Sequence, residues 1–334
     1  MNRPLVTALF GCGQIGSGYA ADPRMAQHYR YATHAQVLSH HPAFDWRVAV
    51  DPRAESAQAC AAAYGVEAAT DVAGIAAPET IEVAVLATPP GTRIGLLEAL
   101  PGLKAVIVEK PLGATLAEAE EFAQACETRG IVCQVNLPRR ADASHRALAE
   151  GGLEARIGRV QGAFLTYGNG LINNGTHMID LARALLGEVA HAGVPAGAKS
   201  FAEGPIPGDR NLPFCLTMES GIAVMGQPLS FAAYRENGLD LWGEKGRLAI
   251  VQEGLRFCFF PRRDNRSTTG AHEVAGDAPE AETTTMGEAL YAIYDDLAEA
   301  LRSGGAPVSP LSSALATARV VATLLAAGPS ETVA

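Results

Sequence analysis

The length, composition and charge of the chain are those of a globular protein with more than one domain. Its 334 residues exceed the about 250 to 300 that a single core usually holds, and 48% hydrophobic with 19% charged residues excludes a disordered or fibrous chain. A net charge of −10, with no lysine- or arginine-rich run, argues against nucleic acid as a partner. No apolar run approaches the roughly 18 residues of a membrane span, so we expect no membrane association.

The cysteines and the first residues favour a reducing compartment. Six cysteines are dispersed without a C-x-x-C pair, and the eight histidines lack the spacings of a zinc site. Residues 1–4 lead directly into a strand rather than a signal peptide. We therefore expect a cytoplasmic protein with buried thiols and no metal.

The first 136 residues alternate short apolar runs with alanine-rich helical stretches. This alternation is typical of βαβ units that wind a doubly wound parallel sheet, and it predicts strands at 5–10, 47–50, 82–87, 105–108 and 131–135. Ligands of such sheets bind at the carboxyl ends of the strands. Each predicted strand ends in polar or glycine residues there: Gly11-Cys12-Gly13, Asp51-Pro52-Arg53, Thr88-Pro89-Pro90, Glu109-Lys110-Pro111 and Asn136.

The remaining residues predict a second domain that is rich in antiparallel sheet. Strand-length runs are separated by short turns, and we expect strands at 160–167, 214–218, 229–234, 239–242, 247–251 and 255–260. One helix is predicted over 176–186, and two more over 287–302 and 310–327. The polar, aperiodic segment 262–282 is interpreted as a mobile loop.

The glycine motif after the first strand is typical of a dinucleotide site. Gly11, Gly13 and Gly16, with Gln14 and Ile15 between them, form G-x-G-x-x-G. Glycines at these positions permit a tight turn and let backbone N–H groups approach a pyrophosphate. The alternative is a turn between strand and helix that binds nothing.

Asp51 at the end of the second predicted strand favours NAD over NADP. A carboxylate there accepts hydrogen bonds from the adenosine ribose and repels a 2′-phosphate. Arg53 could instead stack on adenine or meet a phosphate, so NADP is the alternative cofactor. Asp51 lies 35 residues after Gly16, against about 20 usually. The excess indicates an insertion at 18–33, which is either a cofactor lid or a surface or oligomer element.

Four motifs, in order along nearly the whole chain, resemble the glucose-fructose oxidoreductase and inositol dehydrogenase family (Gfo/Idh/MocA). They are the glycine motif, Ala87-Thr88-Pro89-Pro90, Glu109-Lys110-Pro111-Leu112 and Asn173-Asn174-Gly175-Thr176-His177-Met178-Ile179-Asp180. The resemblance implies an NAD(P)-binding Rossmann domain over 1–136. Over 137–334 it implies an α+β domain with a large open, mostly antiparallel sheet for substrate binding and oligomerisation, with the last helices packing back toward the first domain.

The resemblance places Lys110 beside the nicotinamide and the reacting hydroxyl, with His177 as a second proton-transfer or orienting residue. Burial and a nicotinamide cation would lower a lysine pKa toward the range useful in acid–base catalysis. Asn173 stands where the inositol dehydrogenase branch has an aspartate, and an amide orients a hydroxyl but cannot accept its proton. Arg93 stands about where many relatives have a histidine.

The remaining site predictions follow from position at the strand ends and from the motifs. Thr88, Pro89, Glu109 and Asn136 are expected to bind cofactor. Substrate contacts are expected from Lys110, His177, Asn174, Arg140 and Tyr167. Arg140 is equally a surface arginine, and Tyr167 is alternatively a partly buried strand residue.

Together these features predict an oxidoreductase that transfers hydride between nicotinamide and a secondary alcohol of a sugar, cyclitol or nucleotide sugar. Two rival functions are glycoside cleavage or elimination with an NAD that is reduced and reoxidised in one turnover, and a non-catalytic cofactor-binding sensor. The resemblance also implies a homodimer or homotetramer formed through the second-domain sheet.

Overall fold

A computed structural model describes residues 3–274 and 279–329 of the chain. These residues form two compact units, and the chain passes between them more than once. The first, the Rossmann unit, comprises 3–142 and 287–315, and the second, the sheet unit, comprises 143–274, 279–286 and 316–329. Of the described helices, none is long and apolar enough to cross a membrane.

A parallel sheet of six described strands forms the centre of the Rossmann unit. Its order is β3-β2-β1-β4-β5-β6, which is the order of dinucleotide-binding folds. The strands are β1 (Leu5–Phe10), β2 (Phe44–Val50), β3 (Glu67–Ala69), β4 (Val83–Leu86), β5 (Ala105–Val108) and β6 (Val132–Val135). The predicted parallel sheet is confirmed, and β3 is a short edge strand that the sequence did not indicate.

Helices cover both faces of this sheet and complete its core. They are α2 (His34–His40), α3 (Ala54–Tyr64), α4 (Arg93–Ala99), α5 (Leu116–Thr128) and, after the sheet unit, α9 (Ala289–Ser303). The short α1 (Pro23–Ala26) has no buried residue and lies outside this core. Phe122 of α5 and Leu297 of α9 belong to the two buried clusters that pack against the strands. Burial of such a side chain contributes about 1.5–3 kcal/mol relative to exposure.

The sheet unit contains eight described strands in one large sheet. Its order is β16-β13-β12-β11-β7-β10-β9-β8, and every neighbouring pair is antiparallel except β7 with β10. The strands are β7 (Val160–Tyr167), β8 (Val189–Gly193), β9 (Phe214–Met218), β10 (Ala223–Pro228), β11 (Gly238–Gly243), β12 (Gly246–Val251), β13 (Arg256–Pro261) and β16 (Glu280–Thr283). The predicted mostly antiparallel sheet is confirmed.

The helices of the sheet unit lie before, between and after its strands in the sequence. They are α6 (Ala143–Ala147), α7 (Leu153–Ile157), α8 (Thr176–Leu186) and α10 (Leu311–Ala327), whose first turn belongs to the Rossmann unit. Helix α8 begins and ends as predicted. Its Met178, Leu181 and Ala182 are buried, as expected from their helical spacing.

The predicted strand at 229–234 is wrong. The strand lies earlier, at β10, and residues 231–233 form a turn. The carboxylate of Glu203 accepts hydrogen bonds from the backbone N–H groups of Phe231 and Ala232, at 2.9 and 3.0 Å. These donors are therefore not available to a neighbouring strand, whatever the β-propensity of the segment.

The loop interpretation of 262–282 is wrong for part of the segment. Two short strands, β14 (Arg263–Asp264) and β15 (His272–Glu273), pair with each other, and β16 pairs with β13 at the edge of the large sheet. All four residues of β16 are exposed. Such an edge strand carries no apolar pattern that would reveal it in the sequence. Residues 275–278 of the predicted loop lie outside the described residues.

An ion cluster around Glu82 ties the first strand to its neighbours in the Rossmann sheet. The carboxylate accepts hydrogen bonds from Arg3 at 2.7 and 2.9 Å, from Lys104 at 2.7 Å and from the backbone of Val6 at 3.1 Å. The Arg3 bond is the largest cause, and with Lys104 and Val6 it outweighs burial and lowers the pKa of Glu82 to about 2. The carboxylate is therefore ionised in the folded protein well into acid.

We expect Glu82→Gln to destabilise the protein at pH 7 by about 1–3 kcal/mol. Because the folded pKa is depressed, this stabilisation is present above the unfolded pKa near 4.5 and is lost as the pH falls toward about 2. Urea unfolding between pH 7 and pH 3 measures it, with the exposed Glu79→Gln as the control. A wild-type advantage that did not shrink below pH 4.5 would contradict the ionic origin.

Candidate active site

The glycine motif forms a tight turn at the carboxyl end of β1. Gly11 has a φ of 95°, and a Cβ there would lie 2.4 Å from the carbonyl oxygen of Ala87. A Cβ on Gly16 would lie 2.0 Å from the carbonyl oxygen of Gly11. In contrast, a Cβ on Gly13 would meet nothing within 4 Å. Gly11 and Gly16 are thus required by the turn itself, whereas Gly13 borders open space, as expected where a pyrophosphate approaches backbone.

The predicted insertion interrupts the helix that follows the glycine turn. The chain leaves after one turn, forms a 3-10 turn (Gly18–Ala21) and α1, and returns at α2. There the His34 N–H donates to the carbonyl of Ile15 at 3.0 Å, and the Ala35 N–H donates to the carbonyl of Gly16 at 2.9 Å. Helix α2 therefore continues the turn of the motif. The insertion packs near the start of α9, where Tyr31 contacts Tyr291.

Asp51 connects the end of β2 to the glycine turn. Its buried carboxylate accepts hydrogen bonds from the backbone N–H groups of Cys12 and Arg53, both at 2.9 Å. Burial raises the pKa of Asp51, but these two bonds and the Arg53 side chain more than offset it, and the net pKa lies below its usual value. Asp51 is thus a fixed anion beside the dinucleotide turn, and the Arg53 side chain is mostly exposed.

Two buried polar atoms at the neighbouring strand ends have no hydrogen-bond partner among the described residues. They are Oγ1 of Thr88, after β4, and Oδ1 of Asn136, after β6. Buried polar atoms are rarely left unpaired, so such atoms indicate a group that binds there. These strand ends flank β5, which carries Glu109 and Lys110. Together with the open space at Gly13, they fit a nicotinamide dinucleotide along this edge.

Arg93 lies beneath this edge and does not face it. Its guanidinium is buried and donates to the carbonyls of Thr88 at 2.8 Å, Pro111 at 2.7 Å and Leu112 at 3.2 Å. Burial lowers the pKa of Arg93 to about 10, against the charge of Glu109, which raises it. Arg93 therefore joins the loops after β4 and β5 and has a structural role.

The carboxylate of Glu109 is held by a chain of buried side chains. His34 Nε2 lies 2.9 Å from Glu109 Oε1, and His34 Nδ1 lies 2.8 Å from the hydroxyl of Tyr294. The Asn136 amide donates to the same Oε1. Burial raises the pKa of Glu109, but His34, Asn136 and the charge of Lys110 outweigh it, so the net pKa is lowered and the carboxylate is ionised.

Sequence reasoning missed His34 and Tyr294. A signal for His34 was present, because Thr33 and Gln36 have the spacing of a capping box and mark a helix that begins at His34. Nothing in the sequence connected Tyr294, 260 residues later, to His34.

The second group of predicted residues belongs to the sheet unit. A π-helical turn (Leu171–Gly175) carries Asn173 and the buried Asn174 directly into α8, whose first turn contains the half-buried His177. The Asn174 amide nitrogen has no hydrogen-bond partner among the described residues. Asn173 donates from its side chain to the carbonyl of Asn169 at 3.1 Å.

Asp209 is a buried carboxylate that the sequence did not indicate. It accepts hydrogen bonds from the backbone N–H groups of Ile172 at 2.9 Å, Asn173 at 3.0 Å and Arg210 at 2.8 Å. Burial raises the pKa of Asp209, and these backbone bonds counteract only part of the effect. The residue fixes the turn before α8.

Of the predicted substrate contacts, Tyr167 has different surroundings from those expected. Tyr167 is fully buried, and its hydroxyl donates to the carbonyl of Leu212 at 2.7 Å and accepts from its N–H at 3.0 Å. Burial raises the pKa of Tyr167. We therefore correct its assignment to a structural role in the core. Arg140 is half-buried in a 3-10 turn (Pro138–Arg140) after β6 of the Rossmann unit.

Comparisons with known proteins agree with this geometry. Residues 7–137 match the model of the Gfo/Idh/MocA oxidoreductase family, NAD-binding Rossmann fold. No curated protein sequence matches the chain. Within the described residues, no group of three or more histidine, cysteine, aspartate or glutamate side chains is arranged to hold a metal ion.

Solved structures of low sequence identity share the fold over nearly their whole length. A putative myo-inositol dehydrogenase from Sinorhizobium meliloti has 21% identity and a TM-score of 0.68, covering 97% of both chains. The WlbA dehydrogenase from Bordetella pertussis, in complex with NADH and UDP-GlcNAcA, has 18% identity and a TM-score of 0.70, covering 97% of this chain and 96% of that one. A super-repressor mutant of Gal80p from Saccharomyces cerevisiae has 16% identity and a TM-score of 0.73, covering 97% and 95%.

We expect Gly13→Ala and Gly16→Ala to separate cofactor binding from folding. Gly16→Ala should destabilise the protein by about 1–3 kcal/mol, because its Cβ must displace backbone. Gly13→Ala should leave the melting temperature nearly unchanged yet weaken NAD binding about tenfold or more. Thermal denaturation and calorimetric NAD titration measure the two effects. If Gly13→Ala bound NAD as tightly as the wild-type protein does, the pyrophosphate would have to lie elsewhere.

Proposed function

We propose that this protein, whose residues 7–137 match the model of the Gfo/Idh/MocA oxidoreductase family, is a dehydrogenase acting on a secondary alcohol of a sugar, cyclitol or nucleotide sugar. The observation that carries the proposal is the edge formed by β4, β5 and β6, where unpaired polar atoms of Thr88 and Asn136 flank Lys110. NAD, when bound, accepts or returns the hydride. Buried thiols at Cys12, Cys60 and Cys133 support a reducing, cytoplasmic setting.

We propose that the protein's own residues handle the proton of the reacting hydroxyl. Oxidation of the alcohol breaks its C–H and O–H bonds, the hydride leaves the carbon, and the hydroxyl proton passes to the amine of Lys110 or the imidazole of His177. Asn173 orients the hydroxyl through its amide and takes no proton. In the reduction direction the same groups return the proton.

The expected substrate is polar and rich in hydroxyl groups. The buried Asn174, whose amide nitrogen is unpaired among the described residues, suits a hydroxyl or carbonyl acceptor. Arg140 suits a carboxylate or phosphate. The structural neighbour with bound UDP-GlcNAcA makes nucleotide sugars the first compounds to test.

Two other functions remain as candidates. An enzyme that retains NAD and cleaves a glycosidic bond would release product with no net NADH. The other candidate is a non-catalytic cofactor-binding sensor, and a super-repressor mutant of Gal80p shares the fold of this chain. A sensor has no need of a proton-carrying lysine, so the presence of Lys110 and His177 favours an enzyme.

A thermal-shift screen of NAD and NADP, crossed with cyclitols, sugars and nucleotide sugars, identifies the ligands, because binding to the native state raises the melting temperature. We expect a larger shift with NAD than with NADP because of the Asp51 carboxylate. On the substrate found, Lys110→Ala and His177→Ala should each lower kcat/KM by about 10²–10⁴-fold while the NAD shift persists. The exposed Lys245→Ala is the control. Unchanged turnover in both variants would refute the mechanism.

We also propose that copies of the chain associate through the open face of the large sheet. Phe164, Met225 and Trp242 are 37%, 44% and 38% exposed. Met225 is paired with Phe164, and Trp242 with Gly162, two residues before Phe164, so the three side chains lie on one face. An exposed apolar patch of this kind is typical of an interface.

We expect Met225→Glu to convert the wild-type dimer or tetramer into a smaller species, because it would bury a charge in the interface. Sedimentation velocity measures the change. Tyr234→Glu, which alters a 64% exposed side chain outside the strands, is the matched control. A wild-type protein that sedimented as a monomer would overturn the proposal.

A further inference from the structure

The buried chain Tyr294–His34–Glu109 is more elaborate than the fold requires. His34 and Tyr294 are fully buried, and each offers its only polar side-chain groups to this chain. Burial of polar groups is unfavourable unless they are paired, and replacing a buried polar cluster by apolar side chains of the same volume is often neutral or stabilising in proteins. This series of hydrogen bonds ends at the Glu109 carboxylate, directly before Lys110 in the sequence.

From this arrangement we infer that His34 and Glu109 are a positioning pair for Lys110. His34 holds the Glu109 carboxylate ionised and in one orientation, and the carboxylate sets the protonation balance of the lysine. The inference rests on the proposed function in one respect, which is the role of Lys110 as proton carrier.

The hydrogen bonds from Tyr294 through His34 to Glu109 have a consistent direction. Burial and the charge of Glu109 raise the pKa of Tyr294, so its hydroxyl stays protonated and can donate to His34 Nδ1. A neutral imidazole that accepts at Nδ1 carries its proton on Nε2, which then donates to Glu109 Oε1 at 2.9 Å. Tyr294 thus fixes the tautomer in which His34 binds the carboxylate.

The titratable groups around Glu109 come from each element packed against it. His34 comes from α2, Tyr294 from α9, and Arg93 from α4, while Lys110 is its neighbour in the chain. The Asn136 amide, from the end of β6, is uncharged. The charge of Lys110 lowers the pKa of Glu109, and because such coupling is reciprocal, the carboxylate favours the ammonium form of Lys110. The carboxylate therefore counteracts burial and a nicotinamide cation, both of which would lower the pKa of Lys110.

A direct titration of Lys110 tests the inference without a substrate. The chain has only four lysines, at 104, 110, 199 and 245, so a protein labelled with ¹³C-lysine gives few signals, and Lys110→Arg identifies the one of interest. In the NAD-saturated protein, Glu109→Gln should lower the pKa of Lys110 by about one unit or more. His34→Leu should lower it in the same direction, because an unanchored buried carboxylate becomes protonated more readily. Tyr294→Phe should produce a smaller shift.

His41→Leu is a matched control. His41 is also buried, follows α2 directly and places its Nε2 3.0 Å from a carboxylate of α9, that of Asp295. It should leave the Lys110 titration unchanged. If His34→Leu does not fold, as judged by circular dichroism, Tyr294→Phe tests the same link.

The inference is overturned if Glu109→Gln leaves the Lys110 pKa unchanged, or if His41→Leu lowers it as much as His34→Leu does. A shift in Glu109→Gln alone, with His34→Leu and Tyr294→Phe at the wild-type value, overturns the part assigned to His34. Since the titration needs no turnover, these outcomes are independent of whether Lys110→Ala abolishes dehydrogenase activity.

Discussion

An ionised carboxylate at the end of a fully buried strand is the constraint around which the Rossmann unit is arranged. The strand β5 is buried throughout, so Glu109 has little access to water. A charge in that place is stable only with donors directed at it. The donors come from two separate elements, α2 and the end of β6, and α9 supports the first of them through Tyr294. The return of the chain to this unit after residue 287 thus completes the surroundings of one side chain.

Side-chain burial explains which strands were predictable from the sequence. The strands of the Rossmann sheet were predictable because continuous apolar runs report burial on both faces. Strands β3 and β16 were not, since a short edge strand gains its position from backbone pairing rather than from side-chain burial. The strand prediction for 229–234 failed for the opposite reason. It has strand composition, but the Glu203 carboxylate takes its N–H groups, and that contact spans almost thirty residues.

The site shows the same division between local and distant information. Gly11 and Gly16 lie where the motif spacing placed them, because their roles depend on a short stretch of backbone. Asp51 lies beside them, as its position at the end of the second predicted strand indicated, despite the longer spacing. The place of His34 at the site was not predicted, because the insertion separates it in sequence from the glycine turn to which its backbone is hydrogen-bonded. Tyr167 has the chemistry of an acid, and only its burial and the two hydrogen bonds to Leu212 reveal a core residue.

The sheet unit contains a carboxylate next to the position where relatives resembling this chain have an aspartate, and its geometry decides what that carboxylate can do. Asp209 accepts three backbone N–H groups around Asn173, so most of its acceptor capacity is used in holding the turn. Burial favours its neutral form, whereas each of those bonds requires an acceptor oxygen. A residue bound in this way orients Asn173 and the start of α8. The proposed mechanism assigns proton transfer to Lys110 and His177, and an amide at position 173, which can orient a hydroxyl but takes no proton, is compatible with that assignment.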